Sequence, residues 1–152
     1  MDKGEGKAFS EKLHLHVVVA TGDHAVYDGS ADRVTAPAVN GQISILVHHA
    51  PLLAALEPGE LVVRSAGQAQ SFAIGGGVVE VRDNQVIILA DTAERAEEID
   101  VARAEAARLR ASTLVKQYRG RPEFATALQA LRRSRARLKV ARSFRGRPTS
   151  AS

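Results

Sequence analysis

An acid and a base three residues apart, Asp100 and Arg103, form the sharpest chemical spacing in this chain. They lie within A-D-T-A-E-R-A-E-E-I-D-V-A-R-A at 90–104. A carboxylate and a guanidinium one helical turn apart can pair with each other or grip a polar ligand between them. Asp100 can also act alone as a helix N-cap, with Ile99 before it as a hydrophobic staple. Further on, Arg133 and Arg137 are four apart, share one helix face and can converge on phosphates.

The other candidates carry less. His14 and His16 stand at i, i+2, a spacing that can ligate a metal, but no third ligand is near in sequence. The solvent face of a strand accounts for them better. His48 and His49 sit in a turn beside Pro51 with no catalytic partner in view, which favours a structural or contact role. Gly75-Gly76-Gly77 has no helix after it and reads as a bulge or tight corner, not a phosphate cradle. The sequence contains no G-x-x-x-x-G-K-[ST], H-E-x-x-H or G-x-S-x-G. A free-standing enzyme therefore finds no acid-base or nucleophile set here, and no metal site is expected.

The elements that must position these residues change character at Asp100. Before it, short segments alternate apolar and polar: Leu13 to Ala20, Asp32 to Ala36 stopping at Pro37, and Gln42 to Leu46. Leu52 to Leu56 closes at Pro58-Gly59. Glu60 to Arg64, Gln70 to Ile74, Val78 to Arg82 and Gln85 to Ala90 follow. Tyr27-Asp28-Gly29, Asn40-Gly41 and Asp83-Asn84 read as turns, and Gly75-Gly76-Gly77 as a further break. About eight short strands at this spacing predict an antiparallel sandwich or flattened barrel. After Asp100 the period becomes helical. Ala104, Ala107, Ala111, Leu114, Val115 and Tyr118 share a face, Gly120 stops the helix and Pro122 starts another. In the second helix Ala127, Leu131, Ser134, Leu138 and Ala141 form a narrow seam that suits an antiparallel pair. The expected organisation is a disordered segment at 1–11, a β-sandwich at 12–92, a helical hairpin at 93–143 and a disordered tail at 144–152.

Composition bounds the partners. The chain of 152 residues is 45% hydrophobic and 25% charged, as in an ordinary globular protein, and contains no Cys, so disulfide and thiolate chemistry are excluded. No apolar run approaches the roughly 18 residues of a membrane span, and none follows the N-terminus to make a signal peptide. The net charge of +4 hides an asymmetry: residues 1–97 carry 7 Lys+Arg against 13 Asp+Glu, and residues 98–152 carry 14 against 4. Between Arg132 and Arg147 lie eight cations and no acid. Such a block is either a solvated tail or a surface for an anionic partner. One reading is a nucleic-acid-binding module, but Phe144 is the only aromatic there to stack on a base.

Several segments, in order, resemble the epsilon subunit of the F-type proton-translocating ATP synthase. They are V-T-A-P at 34–37, G-Q-I-S-I-L at 41–46, H-A-P-L-L at 49–53, L-x-P-G-E at 56–60, G-G-x-V-E-V at 76–81 and the stretch through I-D-V-A-R-A at 99–104. The resemblance implies an N-terminal antiparallel β-sandwich of about ten strands followed by a C-terminal α-helical hairpin. It implies a non-catalytic rotor subunit of the central stalk, peripheral to the cytoplasmic face of a bacterial plasma membrane. The sandwich would dock on the gamma shaft and the c-ring, the latter through Asn40, Gly41 and Gln42. Where the family usually has an acid, this chain has Gln42. The hairpin would inhibit ATP hydrolysis by reaching the catalytic alpha/beta subunits, with Arg132, Arg135, Lys139 and Arg142 meeting an acidic beta segment. No cofactor is implied, but ATP is implied as a regulatory ligand held by Glu94, Asp100, Arg103, Arg133 and Arg137.

Overall fold

The computed structural model describes residues 14–146. The segment 1–11, residue Leu13 of the first expected strand and tail residues 147–152 lie outside the described residues; Phe144 and Arg145, expected in the tail, continue a helix. Eight strands come first among the described residues: β1 Leu15–Ala20, β2 Ala25–Ala31, β3 Arg33–Ala38, β4 Gly41–Leu46, β5 Leu52–Ser65, β6 Gln68–Arg82, β7 Gln85–Ala90 and β8 Ala93–Arg95. A single 3₁₀ turn, Ala96–Glu98, leads to helices α1 Val101–Gln117 and α2 Phe124–Arg145. The strand order is β2-β1-β7-β6-β5-β3-β4, with β8 added on β6. All pairs are antiparallel except β1 with β7, which is parallel.

Two long bent strands make one hydrogen-bonded sheet into two layers. Sequence punctuation at Pro58-Gly59 and at Gly75-Gly76-Gly77 was expected to end strands, yet β5 and β6 run through both. The reason is that the two interruptions coincide: Pro58 pairs with Gly75, Gly59 with Ile74 and Leu56 with Gly77. Both strands therefore bend at one place, where Gly76 and Gly77 have φ of 104° and 144°. One half of each strand joins β7, β1 and β2, and the other joins β3, β4 and β8. The core between the layers is aliphatic. It is built from Leu15, Val17, Val19, Val34, Ile45, Leu61, Val63, Ile74, Val79, Val81, Val86 and Ile88 around a single Phe72.

Three further expectations need correction. Tyr27-Asp28-Gly29 is not a turn but the middle of β2, an edge strand paired with β1. Its weak apolar alternation reflects one-sided cover; Tyr27 stacks edge-on against Phe72 with centroids 6.2 Å apart. Pro37 does not stop β3, because it falls where the β3–β5 register shifts and the pairing is already irregular. The strands also extend to Arg95, past the expected boundary at 92, and α1 begins only at Val101.

The helices form an antiparallel hairpin, and α2 lies across β5 and β6. All five seam positions, Ala127, Leu131, Ser134, Leu138 and Ala141, are buried. Periodicity missed Ala136 and Val140, which are buried too: α2 contacts the sheet as well as α1, so it buries a second stripe. Gly120, with φ of 78°, ends the first rod as expected.

Candidate functional site

Where the hairpin meets the sandwich, a cavity of about 490 Å³ opens between β6, β8, α1 and α2. That volume is in the range of small-ligand sites. Ala73, Ile74 and Gly75 of β6 floor it, and Thr92, Ala93 and Glu94 form one wall. Ala107, Arg110, Ala111 and Leu114 of α1 and Ala130, Arg133, Ser134 and Arg137 of α2 complete it. Small residues make the room and three guanidiniums supply the charge.

Glu94 and Arg137 meet across the wall. Arg137 Nε donates to Glu94 Oε2 at 2.6 Å and Nη2 to Oε1 at 3.3 Å. This two-pronged pair, 43 residues apart in sequence, ties β8 to α2. Arg95, next along β8, points the other way: its Nη2 donates to the Val26 carbonyl at 2.7 Å and its guanidinium lies 5.9 Å from the Phe72 ring centroid. The three-residue strand therefore anchors to the sandwich through Arg95 and to the hairpin through Glu94. Arg133 reaches the cavity across Gly75, where any Cβ would lie 2.8 Å from its Cδ.

Of the residues singled out by sequence, Glu94, Arg133 and Arg137 come together here. Asp100 and Arg103 do not line the cavity. Asp100 is the N-cap of α1, its Oδ1 accepting the Arg103 backbone N–H at 3.1 Å. Arg103 is exposed, one turn before Ala107 on the same helix stripe. Ile99 is buried, consistent with a staple. Asp100→Ala is expected to cost about 1 kcal/mol, read as a lower urea midpoint with faster amide exchange confined to the first turn of α1. Sequence reasoning missed Arg110. Its signal was its place on the stripe of Arg103, Ala107 and Leu114, at helical spacing.

The basic set is exposed on the opposite side. Arg132, Arg135, Lys139 and Arg142 recur at 3-4-3 spacing on the outer face of α2. A groove there is lined by Arg135, Leu138, Lys139, Arg142 and Ser143 with Glu105 and Arg108 of α1. Arg108 hydrogen-bonds Glu105 and holds its carboxyl below the usual carboxylate range. Asn40 in the β3–β4 turn and Gly41 and Gln42 at the start of β4 are exposed together, with Gly41 at φ 124°.

The histidines have structural partners. His16 of β1 pairs with Asp28 of β2 at 2.8 Å, and His14, just before β1, pairs with Asp32, just after β2, at 3.2 Å. His48 has φ of 67°, and its N–H donates to Asn84 Oδ1 at 2.6 Å; His49 Nδ1 contacts the Ala50 carbonyl. Among the described residues no group of three or more His, Asp or Glu is arranged to hold a metal, and no helix is long and apolar enough to cross a membrane.

Family comparisons follow this division of the molecule. The ATP synthase delta/epsilon chain β-sandwich domain matches residues 14–96, and the long α-helix domain of the same chain matches 97–142. The ATP synthase epsilon chain of Herpetosiphon aurantiacus is 44% identical over 89% of this chain and 99% of its own length. That of Dehalococcoides mccartyi is 43% identical over 90% of this chain and 97% of its own. A chain in the structure of the Euglena gracilis mitochondrial ATP synthase shares the fold with a TM-score of 0.64 at 21% identity, over 88% of this chain and 80% of that one. Matches spanning both the sandwich and the hairpin place this chain in the ATP synthase epsilon-chain family.

Proposed function

We propose that this chain is a rotor-stalk subunit whose sandwich docks on the gamma shaft and the c-ring and whose hairpin regulates ATP hydrolysis. The observation that carries the regulatory half is the thin joint between hairpin and sandwich. The cluster there consists of Ala73, Ala96, Ala104 and Ala141 with Ile99, Leu138 and Val140, so four of its seven members are alanines. Small side chains bury little apolar area and contribute correspondingly little. A rod held this lightly can exchange one resting place for another.

The docking half is supported by the layer of β7, β6 and β5 that the hairpin leaves uncovered. Val78 pairs with Leu89 there, and Glu80 stands between Ile87 and Leu53. Leu53, Val78, Ile87 and Leu89 are all exposed, an apolar patch of the kind that marks a protein interface. The exposed residues Asn40, Gly41 and Gln42 suit the c-ring contact. Through such partners the chain would sit peripherally at the cytoplasmic face of the bacterial plasma membrane.

The exposed cations Arg132, Arg135, Lys139 and Arg142 suit an acidic segment of the catalytic subunits, through an attraction that salt would screen. The cavity suits ATP. Arg110, Arg133 and Arg137 can take the phosphates, with Glu94 holding the Arg137 guanidinium in place, and Arg103, exposed one turn before Ala107, can reach the outer end of the nucleotide. ATP bound there touches α1, α2 and β8 together, so it favours the docked hairpin by its differential affinity for that state. Removing residues 98–152 from the assembled enzyme is expected to raise ATP hydrolysis severalfold while leaving co-purification with gamma intact. Unchanged hydrolysis would remove the inhibitory role, and loss of gamma would remove the division of labour.

A further inference from the structure

Outside the cavity, the seat under α2 contains a carboxyl oxygen with no hydrogen-bond partner. On β5 and β6 the lateral pairs Pro58–Gly75, Glu60–Ala73 and Val62–Ser71 share one face, while Leu61, Val63, Phe72 and Ile74 point into the core. That shared face is the one α2 covers: Gly75 lies against Arg133, and Ala73 packs with Leu138, Val140 and Ala141. The seat is thus made of small residues and one carboxylate. Glu60 Oε2 is sealed from solvent and accepts no hydrogen bond. Among the described residues, none of the ion pairs includes Glu60.

We infer that Glu60 opposes the docking of the hairpin and sets how easily it lifts. Burying a carboxylate oxygen without a donor leaves its lost hydration uncompensated. Lifting α2 returns that oxygen to water, and the gain offsets part of the apolar contact given up. Only Ile99, Leu138 and Val140 are large in that contact, so one unpartnered oxygen offsets an appreciable part of what holds the hairpin down. A Leu at position 60 would make the joint tighter, at the expense of release. The inference rests on the reading of a releasable hairpin and adds the residue that tunes it; it involves neither ATP nor the catalytic subunits.

Amide hydrogen exchange on the full chain tests it. In the wild type, α1 and α2 are expected to exchange faster than β1 and β7, through an opening that leaves the sandwich folded. Glu60→Leu is expected to raise hairpin protection about tenfold, equivalent to about 1.4 kcal/mol, with a smaller change in β1 and β7. Glu60→Gln is expected to raise it less, and it decides the matter if the Leu variant does not fold. In a Val140→Asp background, which undocks α2, the Glu60 substitutions are expected to leave hairpin exchange unchanged. Fast hairpin opening in the wild type that neither Glu60 variant slows would overturn the role of Glu60 alone. A gain that persists with Val140→Asp would do the same. Equal protection of helices and sandwich in the wild type would overturn the releasable hairpin, and the inference with it.

Discussion

Replacing Gly77 by Ala is expected to destabilise the chain by about 3–5 kcal/mol and to lower its thermal midpoint by about 10 °C or more. The residue has φ of 144°, where L side chains are strained. A Cβ there would overlap the Leu89 carbonyl oxygen and lie 2.8 Å from Ala90 Cα. Both belong to the β7 backbone, which cannot rotate aside as a side chain can. Gly77 pairs with Ala90 on one side and Leu56 on the other, so any retreat breaks the pairing of β6 with both neighbours. That is the bend through which the two layers are joined. Gly120 is the control: its φ is 78°, but a Cβ there would meet nothing within 4 Å. Gly120→Ala should therefore show only the backbone cost of about 1 kcal/mol. Thermal melts of both variants by circular dichroism decide it. A Gly77→Ala midpoint no lower than that of Gly120→Ala would remove the bend as the joint of the sandwich.

That glycine also marks where sequence reading was strong and where it was not. The alternation of Leu15, Val17 and Val19, and of Val86 and Ile88, predicts buried strand faces because a strand facing one core has period two, and those residues are buried. The seam from Ala127 to Ala141 was legible for the same reason at helical period. Pro58-Gly59 and Gly75-Gly76-Gly77 were misread as ends. Local composition reports that the chain departs from regular geometry there; it does not report that two departures face each other and make one bend. Strand β2 was missed because an edge strand needs only partial apolar cover, so its own residues show little alternation. Strand β8 has three residues and is held by Arg95 and Glu94, whose partners lie 69 and 43 positions away. No window of sequence contains such a contact.

The site divides along the same line. Arg133 and Arg137 could be paired from their spacing on one helix. Glu94 joined them only through the resemblance, and the structure puts it in two-pronged contact with Arg137. Arg110 shares a helical stripe with Arg103, Ala107 and Leu114, but only the fold shows that this stripe, and not that of Arg108, faces the cavity. Arg108 faces Glu105 and the outer groove. Asp100 shows the reverse case, since its capping role was legible from local spacing alone.

Arg137→Ala is expected to weaken ATP binding about 100-fold, about 2.7 kcal/mol, by isothermal titration of the isolated protein. Two effects add. The variant removes a guanidinium from a cavity wall where its side chain is only 23% exposed and charge is poorly screened. It also leaves the Glu94 carboxylate unpaired beside a polyanion, and that repulsion is absent when Arg137 occupies both oxygens. Arg133→Ala loses a cation but strands no acid, so about tenfold is expected. Adding Glu94→Ala to Arg137→Ala should recover part of the loss, since the double change removes the stranded acid, a non-additivity that neighbouring charges should display. Arg132→Ala, exposed on the outer face of α2, should bind ATP like the wild type. The order of affinities tests the assignment better than any single value. If Arg132→Ala weakens ATP as much as Arg137→Ala does, the attraction is diffuse and the cavity is not the site. If Arg137→Ala binds as the wild type, phosphates do not enter between β8 and the hairpin, and nucleotide control must act elsewhere in the rotor.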